Sequence, residues 1–441
     1  MHNKLLLFLL LFFCTGFHTG DVNIKVEEIT TNNNFKFLFV ENHDLPVVSL
    51  DITFKNSGYA YDNQEKQGLA AFTSAFLHEG AGSNSALEFA KKLENKGIKL
   101  FSDVSKEYFH VHLKTLSENL PDAMSLLSDY LLRSNFDDNG FNRTKEMQAV
   151  LIKKLKNDPK FVAKSGLRKL LFGKHPYANA EYGSLDTIKN ITQDDVLQYV
   201  KRNFNQEKMV ISVVGSVNSK ELSELIDNYL LQLPTKTEEP ARRVENANLN
   251  LGKNGHAFMD IPQSVVFFGQ EGIAIDDPNY YKVYLLNYTL GGMSLNSMLM
   301  HELRDKLGIT YHISTFLDTN EHSNILSGIL YTDNSTAAQA ISAIKQVFNE
   351  IKEKGISGQL FEDAKTNIIN SFIFSLSNND NVIHYLTKMQ LHNFKADYIN
   401  NYINSFEKIT LKDVNNITHS SLSADNLSFF EVSKKNSSIS N

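Results

Sequence analysis

Cysteine is nearly absent from this chain: one thiol, Cys14, in 441 residues. That excludes an internal disulfide and any site held by several thiolates. Basic runs are absent too. No stretch of Lys and Arg exceeds two residues, and the net charge is −6. A nucleic-acid groove needs a concentrated basic surface to offset phosphate charge, so no nucleic-acid partner is expected. Long apolar runs are scarce. One of them, Leu5 to Phe13, is nine residues long. Nine residues cannot cross a bilayer core as a helix, so no stable membrane span is expected. What remains is 42% hydrophobic and 21% charged, a composition that folds into globular domains.

The N-terminus reads as an export signal. Lys4 gives a short positive region, Leu5 to Phe13 the apolar core, and Cys14-Thr15-Gly16 the small residues that follow. Residues 1–20 are expected to be this signal, and the chain to be periplasmic or secreted. Lipidation of Cys14 would want a small residue before it, and Phe13 is not small.

The mature chain then reads as one unit written twice. The first half runs through strands at 35–39 and 47–54, then helices at 68–79 and 85–96. A strand pair, 98–104 and 108–115, follows, with helices at 120–133 and 142–156. A loop at 173–183, a short helix opening at Thr192 and a strand at 209–214 close it. The second half repeats the order with a strand at 265–268, a helix at 280–290, helix-glycine-strand at 295–313, a strand at 325–331 and helices near 336–354 and 359–376. Ile191-Thr192, Asp195 and Val196 recur as Ile409-Thr410, Asp413 and Val414 at a constant shift of 218. Such a period means a duplicated domain rather than a short-repeat solenoid. The expected fold is α+β, two homologous domains, each a mostly antiparallel sheet packed with long helices. Residues 21–231 form the first, 232–256 a polar linker, 257–433 the second and 434–441 a disordered tail.

With GLAAF at 68–72, Gly80-Ala81, FGKHPY at 172–177 and RDKLGITY at 304–311, the chain resembles the insulinase-like metallopeptidases. That family includes pitrilysin and the mitochondrial processing peptidases. The resemblance covers nearly the whole mature chain. Active members carry His-x-x-Glu-His on the helix after the first glycine. Two histidines four apart grip one zinc, and the glutamate serves as general base. Aligned on Gly68, those three positions are Ala71, Ser74 and Ala75. The family's third ligand is a glutamate on a later helix, and Asn142 falls at that place, with Glu146 one turn away. The resemblance therefore implies no zinc in this chain.

Other histidines offer weak substitutes. His78-Glu79 lies one turn along the first helix without further ligands at metal spacing. His110 and His112 share a strand face but lack a third ligand. His301 to Asp305 imitates a zinc helix. His175 reads as a residue that fixes its loop.

The stretch from Leu290 to Ile313 carries the most specific motif. Leu295, Leu299, Leu303 and Leu307 recur every four residues, which predicts a buried stripe with Arg304 at its edge. Gly308 suits a left-handed helix end. Ile309, Tyr311 and Ile313 are expected on one strand face. Setting Gly97 on Gly308 aligns Arg304 with Leu93 and Tyr311 with Leu100, so the repeated unit works with apolar residues at both places. In the family this pair grips a substrate carbonyl near the scissile bond. Arg is a fixed donor fork and Tyr a donor with limited freedom.

The implied function is a non-catalytic, substrate-binding subunit of an exported zinc peptidase. Arg304 and Tyr311 would bind peptide or unfolded protein, and a homologous zinc-bearing partner would supply the His-x-x-Glu-His site. The alternative is a structural or peptide-holding protein without a catalytic partner.

Overall fold

The computed structural model describes residues 24–135, 137–237 and 242–435. The export-signal reading, Cys14 included, and all but the first two residues of the expected tail lie outside the described residues. No described helix is long and apolar enough to cross a membrane.

Two sheets carry the fold. The first has six strands in the order Glu27–Thr30, Lys36–Glu41, Met209–Gly215, Val47–Phe54, Phe109–Leu116, Lys99–Val104. The second has five, in the order Thr310–Asp318, Ile325–Asp333, Gln263–Glu271, Ser428–Ser433, Asn254–Phe258. Apart from the extra strand Glu27–Thr30, the two orders are the same. Each sheet joins its first and last strands in parallel, Lys36–Glu41 with Met209–Gly215 and Asn254–Phe258 with Ser428–Ser433. The other ladders are antiparallel.

The repeat read at a shift of 218 is also physical. Thr192 and Asp195 form a capping box, and so do Thr410 and Asp413. Lys145 Nζ donates to the Lys189 and Ile191 carbonyls, while Lys365 Nζ donates to those of Glu407 and Ile409. One local solution for closing a helix start is thus used twice.

The halves exchange helices. Pro159–Phe172 follows the first half in sequence but packs on the second sheet. A Cβ at Gly166 would lie 2.3 Å from the Phe430 ring. In return, Asn379–Leu391 lies across the first sheet. There Thr387 Oγ1 donates to Ser212 Oγ at 2.9 Å, and Gln390 Nε2 to the Ile211 carbonyl at 2.8 Å. Each half has its own apolar core, and a third cluster including Leu167, Phe172, Phe267 and Val432 joins them.

The linker is shorter than its composition suggests. Asn254–Phe258 is already a strand, so the second unit begins inside 232–256. Before it the chain is tied down: Ala247 N donates to His322 O and Asn250 N to Leu171 O. Ser428–Ser433 is a strand to its end.

Candidate functional site

The helix Leu69–Phe76 begins at Gly68, whose φ of +92° suits glycine alone. A Cβ there would meet the Tyr182 carbonyl at 2.5 Å. Asp62 caps the helix, accepting from Gly68 N and Ala70 N. Burial pushes its carboxyl up to about 7, against the pull of those same hydrogen bonds. Phe72 and Phe76 pack on Phe141, with ring centroids 5.1 and 5.7 Å apart.

The three motif positions lie on the same helix. Ala71 is half-buried, Ser74 buried and Ala75 exposed. Ser74 Oγ donates to Ser102 O at 2.9 Å and lies 2.9 Å from Ser102 Oγ. The chain of hydroxyls continues through Tyr130 OH, 2.9 Å from Ser102 Oγ, to His78 Nε2 at 3.2 Å. Two methyl groups and a hydroxyl already engaged offer zinc neither a nitrogen nor a carboxylate. The family's metal does not fit the residues present here.

The structure does not bring Asn142 to this face. Phe141, Thr144 and Gln148 turn inward from Asp138–Lys156, and Gln148 Nε2 donates to Gly68 O at 3.1 Å. Asn142 is exposed, in a depression shared with Glu146, Lys153 and Ile188 and with no residue of Leu69–Phe76. One residue past Phe141 is a rotation of about 100° about the helix axis.

The other candidate residues named from the sequence, His78, Glu79, His110, His112, His175 and His301, are engaged in hydrogen bonds or ion pairs. Glu79 takes an ion pair from Arg143 at 2.6 Å. His110 Nδ1 is 2.9 Å from Thr53 Oγ1. His112 sits between Asp51 at 2.8 Å and Asp103 at 2.7 Å. Burial opposes its charge, but those two carboxylates outweigh burial and raise its pKa to about 9. His301 pairs with Asp305 at 3.4 Å. His175 fixes its loop as expected: Nδ1 accepts from Tyr177 N, and Nε2 lies 2.7 Å from Glu245 O.

One set that sequence reasoning missed has metal-ligand types. Glu107, Glu321 and His322 place ligand atoms within 4.8 Å of one another. The Glu107 carboxylate and the His322 ring are already engaged in hydrogen bonds, the ring to Tyr61 OH at 3.2 Å and to Asn246 Oδ1 at 3.4 Å, and the backbone of Glu321 and His322 joins the halves here. Glu107 Oε1 accepts from Tyr177 OH and from Glu321 N, and His322 N donates to Tyr177 OH. Tyr177 belongs to FGKHPY and could have been singled out; a glutamate in a hairpin turn gives no signal.

Arg304 and Tyr311 stand on two irregularities. The stretch read as one helix is broken into a turn at Ser294–Asn296, a short helix at Met298–Met300 and a π-helical turn at His301–Lys306. The four-residue stripe is therefore cut. Leu299 and Leu303 are buried, whereas Leu295 and Leu307 are exposed. The strand Thr310–Asp318 carries a bulge: Thr310 pairs with Thr332 and His312 with Tyr331, leaving Tyr311 unpaired. Ile313 is buried while Tyr311 is 81% exposed, so they do not share a face. An extra residue in one strand reverses the alternation beyond it.

The π-turn also shifts the internal comparison. Ile98 N closes on Leu93 O and Ile309 N on Leu303 O, each at 2.9 Å. With Gly97 on Gly308, Leu93 therefore corresponds to Leu303, and Arg304 to Glu94. Tyr311, the bulged residue, has no partner position in the regular strand Lys99–Val104. Among the described residues, neither the Arg304 guanidinium nor the Tyr311 hydroxyl has a hydrogen-bond or ion-pair partner, and both side chains are exposed.

Residues 37–183 match the family described as insulinase (peptidase family M16), and residues 190–368 match the peptidase M16 inactive domain. The non-peptidase homolog YmxG of Helicobacter pylori is 28% identical over 407 residues, covering 90% of this chain and 91% of that protein. Among solved structures, a peptidase M16 inactive domain from Pseudomonas fluorescens superposes with a TM-score of 0.87 at 24% identity, covering 93% of this chain and 98% of that one. A protease from Helicobacter pylori gives 0.83 at 18% identity, covering 93% and 100%. These superpositions establish the fold.

Proposed function

We propose, from the premise that this chain belongs to the insulinase family, peptidase family M16, that it is the metal-free subunit of an exported two-chain zinc peptidase. It binds peptide or unfolded protein and presents Arg304 and Tyr311 to a homologous partner that carries His-x-x-Glu-His.

The observation that carries this reading is the placement of the pair. Each residue stands where one extra residue interrupts the repeated unit, and each side chain is left free. π-turns and β-bulges re-aim side chains and are over-represented beside functional sites. Ala71, Ser74 and Ala75 leave the pair no metal to serve within its own chain. Donors aimed at a carbonyl can hold a substrate and stabilise charge that develops there in amide hydrolysis. The relative called a non-peptidase homolog agrees with a chain that cleaves nothing alone.

The test is reconstitution. The purified chain is expected to cleave no unfolded peptide. Mixing with a homologous His-x-x-Glu-His chain from the same source is expected to give chelator-sensitive cleavage. Chelator-sensitive cleavage by the isolated chain would overturn the reading.

A further inference from the structure

A cavity of about 340 Å³ lies where the helix Pro159–Phe172 meets the tips of the two equivalent hairpins. Its wall brings together three cations, Lys106, Lys164 and Arg168, against two carboxylates, Glu181 and Asp318. Asp318 is already committed, since Lys106 Nζ and Asn320 Nδ2 both donate to its carboxylate. Lys164 has no hydrogen-bond or ion-pair partner among the described residues. Arg168 Nη1 donates to Tyr59 OH at 3.1 Å, but its Nε is buried and has no partner.

A buried donor without an acceptor, as at Arg168 Nε, is costly; Lys164 is exposed and adds an unpaired positive charge to the same wall. Partial desolvation and the neighbouring Arg168 lower the pKa of Lys164, against the opposite pull of Asp318 and Glu181. Beside the charged groups and the polar Ser105, Asn320 and Ser327, the wall carries an apolar side with Leu167, Leu171 and Phe316. An anion with a hydrocarbon portion would satisfy both parts.

We propose that this cavity binds a small carboxylate with a short apolar body. Lys164 and Arg168 hold the carboxylate, and Leu167, Leu171 and Phe316 receive the apolar part. A free organic acid and the C-terminal residue of a peptide share that chemistry. The site lies between the halves, so its occupant also ties them together. The proposal stands independently of the partner-subunit reading.

The probe is N-acetyl-leucine, titrated calorimetrically into the purified full chain. Saturable binding at one site is expected, with N-acetyl-leucinamide weaker by at least about tenfold. Lys164→Met is expected to lose a similar factor. It removes no hydrogen bond, so folding is preserved and can be checked by thermal melting. Arg168→Gln is the second variant. A pentapeptide ending in leucine, as free acid, that matches N-acetyl-leucine would make a chain terminus the source; binding of the small acid alone would make it a free carboxylate. No saturable binding, equal binding of the amide, or unchanged affinity in Lys164→Met would overturn the proposal. Inorganic phosphate binding as tightly would overturn the assignment to carboxylates.

Discussion

Gly97 and Gly308 take one backbone conformation, φ +62° and +65°, in equivalent turns of the two halves. Neither turn is crowded: a Cβ would meet no atom within 4 Å at either position. A side chain there therefore meets only the backbone penalty of the left-handed region. Gly97→Ala and Gly308→Ala are each expected to lower stability by about 1 kcal/mol in urea unfolding. The two losses should add, because the sites share no neighbours. A much larger loss at Gly308 would mean that its turn carries packing strain absent from the other.

Ser74, the position expected from the resemblance to match the family's catalytic glutamate, sits in surroundings that suit a hydroxyl. Its Oγ joins Ser102 and, through it, Tyr130. Ser74→Glu would put a carboxylate where only a small neutral donor fits. The expected cost is about 1–3 kcal/mol, read as a lower thermal midpoint. The triple change Ala71→His, Ser74→Glu, Ala75→His is expected to gain no peptidase activity alone, because the residues that face this helix, Phe141, Thr144 and Gln148, supply no further carboxylate.

His112 gives a signed pH dependence. Its pKa is held near 9 by Asp103 and Asp51 despite burial, against an ordinary value near 6.5. The protonated form is thus favoured by folding. Its stabilisation is fully present below about pH 6.5 and is lost as pH rises through about 9. His112→Gln should cost about 2 kcal/mol near pH 6, allowing for screening of the part-exposed Asp103. Above about pH 9 the difference between variant and parent should close. Denaturant midpoints measured across that range decide it.

Much of this architecture was legible in the sequence. The 218-residue shift is carried by the capping boxes Thr192/Asp195 and Thr410/Asp413, which are local chemistry and so survive as sequence pattern. Gly97 and Gly308 announced their turns because their backbone conformations suit glycine, whereas Gly68, read as part of the helix 68–79, is the left-handed residue before it. The exchange of Pro159–Phe172 and Asn379–Leu391 between halves was not legible, since both ends of each contact are distant in the chain. Leu295 and Leu307 were misread as buried, and Tyr311 as a face-mate of Ile313. A one-residue insertion leaves composition intact while rotating everything beyond it. Nor did the sequence show that Asn142 lies on the exposed face of its helix, away from Leu69–Phe76.

Those insertions set up the sharpest test of function. Arg304 and Tyr311 are exposed, and their polar groups have no partner among the described residues. Arg304→Ala and Tyr311→Phe should therefore leave the isolated chain within about 0.5 kcal/mol of the parent. In the reconstituted complex each should lower kcat/KM by about a hundredfold, the scale of losing one donor to a developing oxyanion. If both residues act on one carbonyl, the double variant should lose much less than the product of the two factors. A structural role would reverse the pattern, with stability falling and the activity of the folded fraction preserved. Independent multiplication of the two losses would place them on different parts of the substrate.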